Sequence, residues 1–173
     1  YTTLFRSYLD SAARHAAQAS AVFPAGFDID GAVAAMLARF AGGRPVQVAT
    51  ASDGRRYVPY TIRRLAEGRQ IGIHHDHHYA LELYRELGAL LDTRTLLSFV
   101  VTLRAPLAGG ELFVYGATSG DADLPRLPNG FAYDLAAIES RYDRACVVPG
   151  VGDLFLLAAG RCLHRVGPVV GPR

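Results

Sequence analysis

From residue 45 onward the chain is a succession of short runs cut apart by glycine, proline and aspartate. They read "VQVAT", "RRYVPYTIRRL", "RQIGIHHD", "TLLSFVVTLRAP", "GELFVYG", "RACVVPG" and "GDLFLLAAG". Branched and aromatic residues suit the pleated surface of a strand, and the intervening residues suit turns. Many short strands with turn signals between them point to a sandwich or barrel.

The first forty-odd residues have a different texture. From Thr3 to about Ala21, apolar Leu4, Phe5, Tyr8, Leu9, Ala12 and Ala16 recur at helical spacing, with Thr2 or Thr3 as N-cap. "FPAG" breaks this helix. "DIDGAVAAMLARFAGG" reads as a second, opened by an acidic turn and closed by Gly42 and Gly43. Within the β-rich part, "YALELYRELGALL" returns to helical spacing, "YDLAAIESRYD" reads as a short helical insert, and residues 117–130 form the longest loop. The expected fold class is mainly β with flanking helices, in one domain over residues 1–173. Residues 1–44 are expected as helical support or lid, and residues 45–173 as the core.

Composition narrows the function classes. A chain of 173 residues suits one core. A net charge of +2, with arginines scattered and no lysine, forms no basic stripe, so nucleic acid is not an expected partner. No apolar run approaches the ~20 residues that span a bilayer, so no membrane partner is expected and the location expected is cytoplasmic. Cys146 and Cys162 form neither a CxxC pair nor a dense framework, which predicts two reduced thiols. The chain begins at Tyr1 without a methionine or a secretory signal pattern, as if inside a longer gene product.

The stretch "IGIHHDHHY", residues 71–79, gathers four of the six histidines around Asp76. A solvated, histidine-rich turn is one reading. A metal site is the other, because imidazole and carboxylate together suit a borderline divalent ion. On an extended chain alternate side chains share a face, so His74 and Asp76 point one way and His75 the other. HExxH on a helix and cysteine pairs at zinc spacing are both absent. Of the remaining histidines, His15 falls on the first helix and reads as a surface residue. His164 follows a turn and the strand "GDLFLLAAG", so a hairpin can bring it beside the first strand. Two histidines and a carboxylate on one face of an octahedral ion leave open positions, as in non-heme iron(II) oxygenases.

"HHD", then "LLSFVVTLRAPLAGGELFVYG", then "GDLFLLAAGRCLHRVGPVVGPR", in that order over roughly residues 70–173, resembles the iron(II)/2-oxoglutarate-dependent oxygenase superfamily, in its branch of prolyl-hydroxylase-like and bacterial small-molecule hydroxylases. The resemblance implies a double-stranded β-helix core (jelly-roll, cupin-like), with iron(II) as cofactor and 2-oxoglutarate and dioxygen as cosubstrates. It implies His74, Asp76 and His164 as metal ligands. Arg173 falls where the family pairs a basic residue with the distal carboxylate of 2-oxoglutarate, a carboxylate that a planar guanidinium can grip through two parallel hydrogen bonds. Thr102 falls where relatives often direct a hydroxyl toward the same group, and an ordinary strand threonine is its other reading; Ser98 and Val100 share its face.

Gly109, Gly110, Glu111 and Asp153 read as turn and strand-start residues. His75, His77, His78 and Tyr79 are either partners behind the ligands, substrate contacts, or solvent-exposed. In "RRYVPYTIRR", Tyr57, Tyr60, Arg63 and Arg64 offer groups that suit a substrate carboxylate. The substrate-binding set is read as His77, His78, Tyr60 and Arg63. The expected activity is hydroxylation of an unactivated C–H bond in a small polar metabolite such as a free amino acid. A prolyl-type protein hydroxylase and a non-catalytic cupin-like barrel are the alternatives. Related halogenases replace the motif carboxylate with a small residue, so Asp76 argues against halogenation. The family's arginine-bearing strand should continue past Arg173, so the core is expected to be cut short.

Overall fold

The computed structural model describes residues 3–19, 22–76, 95–130 and 132–171. The chain divides into two compact units, Tyr1–Arg63 and Arg64–Arg173.

The first unit carries α1 (Thr3–Ala19) and α2 (Ile29–Phe40), both where helical spacing predicts them. Leu9 and Ala12 of α1 are buried. The Asp28 carboxylate accepts the Gly31 N–H at 2.9 Å and caps α2. At the other end Gly43, at a φ of 68–85° with Gly42, donates its N–H to Ala38 O at 2.8 Å and closes the helix.

Residues 45–63, expected as strands, form only one isolated bridge, Thr50↔Arg56, around a turn at Ala51–Gly54. Strand-forming side chains here find a helix instead of a ladder. The Val58 N–H donates to the Tyr8 hydroxyl at 3.0 Å, Arg55 pairs with Asp10 at 3.0 Å, and the Tyr8 and Tyr57 rings lie 5.9 Å apart. Pro59 then supplies no N–H at all.

The second unit is β-rich. Its strands are β1 (Ile71–His74), β2 (Ser98–Val101), β3 (Ala108–Gly109), β4 (Leu112–Thr118), β5 (Arg144–Val147), β6 (Leu154–Leu157), β7 (Cys162–Val166) and β8 (Val169–Val170). One helix, α3 (Leu135–Arg141), falls in the predicted insert "YDLAAIESRYD" and is capped by Asp134, which accepts the Ala137 N–H at 3.1 Å. The helix predicted over "YALELYRELGALL" lies outside the described residues. Antiparallel pairing gives a four-stranded sheet in the order β1-β7-β4-β5 and two-stranded sheets β2-β6 and β3-β8. The chain is therefore mainly β with three helices among the described residues. No sheet formed by those residues closes into a barrel.

Alternation along the strands gives the four-stranded sheet two distinct faces. Tyr115 and Ala117 of β4, Leu163 of β7, Ile138 of α3 and Tyr133 just before its cap form a buried cluster, with Ile73, Phe113 and Leu135 packed against it. This face is closed by α3, and burying Ile138 completely contributes about 1.5–3 kcal/mol. The register Val114↔His164 and Leu112↔Val166 puts His164 on the opposite face.

Where β3 meets β8, Gly109 has φ 74° and a Cβ there would lie 2.0 Å from Pro168 O, so only glycine fits. Gly110 donates its N–H to the same carbonyl at 3.1 Å. The structural reading of this turn follows from that contact.

Candidate metal centre

The edge strand β1 does not run regularly against β7. Ile71 pairs with Val166 but His74 pairs with His164, so Gly72 and Ile73 together oppose the single residue Arg165. This is a β-bulge. In a regular ladder Ile73 would face His164, and His74 would point to the other side. With the bulge, His74 shares the face of His164, and Asp76, two residues on, rejoins it.

Two backbone bonds on the β6–β7 turn bring the remaining parts together. The Asp76 N–H donates to Ala159 O at 3.0 Å, and the Gly160 N–H donates to Leu96 O at 3.0 Å, two residues before β2. The turn thus ties the Asp76 segment and the start of β2 to one place. Across it, the Ser98 hydroxyl donates to Asp76 Oδ2.

Asp76 Oδ1 lies 3.3 Å from His74 Nε2 and 3.5 Å from His164 Nε2. One ligand atom from each of the three residues falls within 4.8 Å of the others. Their side chains are 12%, 23% and 8% exposed, for His74, Asp76 and His164. The Nδ1 atoms face backbone carbonyls, His74 to Gly72 O at 2.6 Å and His164 to Cys162 O at 3.1 Å. A carbonyl only accepts, so each Nδ1 carries a proton, and each Nε2, turned toward Asp76, donates to the carboxylate when it too carries one and otherwise offers a lone pair. Burial opposes ionisation of Asp76, but hydrogen bonds from His164, His74 and Ser98 outweigh it and hold the carboxyl well below the usual carboxylate range. Two imidazole lone pairs and a carboxylate oxygen converging on one point need a cation between them, either protons on the imidazoles or a divalent ion. The donor set fits iron(II), with Oδ1 inward and Oδ2 held by Ser98.

Thr102 lies just past β2, where its N–H donates to Asp153 O at 3.2 Å and its carbonyl accepts from Gly152 at 2.8 Å. Arg173, His77, His78 and Tyr79 lie outside the described residues. Tyr60 and Arg63 belong to the first unit, where the Tyr60 ring packs edge-on against His15 at 5.8 Å and Phe23 at 6.4 Å. His15, read as a surface residue, is half-buried by that packing.

His75 is completely buried on the α3 side of the sheet, so the solvent-exposed reading of it is wrong. Its Nδ1 lies 3.1 Å from the Tyr133 hydroxyl. Ser98 had no role in the sequence reading. Its signal was present in the alternation of Ser98, Val100 and Thr102, but its partner was not. Cys146 and Cys162 are free, as expected.

Two histidines on adjoining antiparallel strands, with a carboxylate two residues past the first strand, form the two-histidine, one-carboxylate donor set of non-heme iron(II) enzymes. A family model described as the carrier-protein-independent halogenase WelO5 matches residues 3–173, and the chain belongs to that family. The family depends on iron(II) and 2-oxoglutarate and falls within the oxygenase superfamily that the motif order resembles. A search of curated proteins found no match. Among the described residues, no helix is long and apolar enough to cross a membrane.

Proposed function

We infer that this member of a halogenase family is a hydroxylase of a small polar metabolite, with a free amino acid or a derivative as the favoured substrate class. The observation that carries the reading is Asp76 Oδ1, 3.3 and 3.5 Å from the two Nε2 atoms. Three protein donors and a two-point keto acid would fill all but one position of an octahedral ion. A halide would have to compete with the oxidant for what is left. Where a halogenase removes the carboxylate, this chain keeps it, half-buries it and braces it with Ser98.

Iron(II), with 2-oxoglutarate and dioxygen, supplies the oxidising power to replace an aliphatic C–H with C–OH. The chain supplies position. His74, Asp76 and His164 would hold the ion, their outer atoms fixed by Gly72 O, Cys162 O and Ser98. Arg173 and Thr102 are proposed to bind the distal carboxylate of 2-oxoglutarate, and His77, His78, Tyr60 and Arg63 the substrate. The nested pairings β1 with β7 and β2 with β6 support a double-stranded β-helix core. One catalytic domain over residues 1–173, working in the cytoplasm, completes the proposal.

The family's own description favours a second reading, halogenation. One experiment separates them. The chain is loaded anaerobically with iron(II) and 2-oxoglutarate, the visible band of the keto-acid chelate is recorded, and oxygen is admitted with excess chloride and a panel of free amino acids. Succinate with a product gaining one oxygen atom supports hydroxylation. A product with chlorine in place of hydrogen supports the second reading, and no chelate band from folded, iron-loaded chain refutes both.

A further inference from the structure

Behind the metal face, the sheet carries a contact that the chemistry above does not use. His75 sits between His74 and Asp76 in sequence, just past the end of β1, and points to the opposite side of the sheet. It is completely buried, its ring meets the Tyr133 ring edge-on at 5.6 Å and 84°, and its Nδ1 lies 3.1 Å from the Tyr133 hydroxyl.

Tyr133 is itself fixed from outside. Arg126 donates to its hydroxyl oxygen at 3.2 Å, and the guanidinium carbon lies 4.4 Å from the centre of its ring. The backbone between them is closed by the bridge Arg126↔Tyr133, with Leu127 N–H to Ala132 O at 2.8 Å and Asp134 N–H to Pro125 O at 3.0 Å. With Arg126 donating into the phenol oxygen, the phenol proton is available to His75 Nδ1.

We propose that Tyr133 is a positioning residue for the metal centre, acting through His75 to set the orientation of both ligands that flank it. The inference rests on the metal reading above. Its logic is the strand's own geometry. Side chains at 74 and 76 point opposite to 75, so rotation of the backbone at His75 swings both ligands together. This stretch leaves the end of the edge strand β1, immediately after a bulge that interrupts the ladder. The Asp76 N–H to Ala159 O bond ties the stretch to the β6–β7 turn, and the buried ring pinned on the far face adds a second restraint. Ligand orientation fixed by partners behind the ligands is worth roughly 10–100-fold in metal affinity.

The test is Tyr133→Phe, which keeps the ring and removes only the hydroxyl. Cobalt(II) is the probe, titrated into the full chain without oxygen and followed by its visible d–d bands. Ile138→Val trims the same core without touching His75 and serves as the control for general destabilisation. The expected result is cobalt(II) binding weakened about 10-fold, with altered band positions, in Tyr133→Phe, and wild-type binding in Ile138→Val. Wild-type affinity and spectrum in Tyr133→Phe overturn the proposal while leaving the metal reading intact. Wild-type chain that binds no cobalt(II) removes both. If Tyr133→Phe does not fold, the exposed Arg126→Met takes its place, and unchanged cobalt(II) affinity there overturns the proposal.

Discussion

Asp76 lies two residues past β1 and Ser98 opens β2 in another sheet, and the Ser98 hydroxyl donates to the carboxylate oxygen of Asp76 that faces away from the histidines. The carboxylate is thereby divided between two tasks, with Oδ1 turned to the metal site and Oδ2 occupied.

Removing that hydroxyl frees the carboxylate to rotate. Ser98→Ala is expected to weaken iron(II) binding about 10-fold and to cost about 1 kcal/mol of folding stability. An anaerobic titration beside a urea melt measures the two effects separately. Equal affinities would mean that the turn at Ala159 orients Asp76 without help.

Asp76→Gly should open a coordination position at the cost of iron affinity. The loss should exceed the roughly 10–100-fold carried by outer partners. In the variant, chloride should shift the visible band of the keto-acid chelate. In the wild type the band should ignore chloride, and a wild-type shift would favour halogenation.

Glu139 gives the fold a pH dependence away from the metal. Desolvation raises its pKa, but hydrogen bonds from Tyr115 at 2.8 Å, Arg165 at 3.1 Å and Arg144 at 2.5 Å outweigh it and hold the carboxyl below the usual range. A depressed folded-state pKa adds stability above the unfolded value, and this is lost as pH falls through the folded one. Glu139→Gln should therefore flatten the fall in urea midpoint below about pH 4.3. Its exposure keeps the effect small. Parallel acid profiles of wild type and variant would show this group to be irrelevant.

Gly109→Ala forces a Cβ against Pro168 O at a φ of 74°. A loss of more than about 1 kcal/mol is expected, since the residue can adopt neither the backbone nor the space. Gly68→Ala also carries φ 74° but has nothing within 4 Å of the added carbon. It should lose less, and the difference in melting temperature isolates the steric share.

Local order was legible in the sequence wherever one chain segment decided it. The HxD spacing sufficed to place His74 and Asp76 on one face, because alternation is a property of a single strand. Helices α1 and α2 were legible from spacing and caps. What depended on a distant partner was not. Ser98 acquires its role only because the β6–β7 turn bonds both Leu96 and Asp76. Alternation turned His75 away from the ligands but carried no information on depth, which α3 and Tyr133 determine. Residues 45–63 were misread because strand propensity without a neighbouring strand is satisfied as well by the Tyr8 hydroxyl.

The bulge in β1 makes the centre depend on counting as much as on chemistry. Two residues stand opposite Arg165 where a regular ladder has one. Deleting either Gly72 or Ile73 would leave every ligand in the chain and restore even pairing with His74 still opposite His164; it is the present spacing, paired without the bulge, that would set the two histidines on opposite sides of the sheet. A search for related centres by residue identity alone would accept such a sequence. One that also insisted on the same odd interval from strand start to first histidine would reject it, although its two histidines would still share a face.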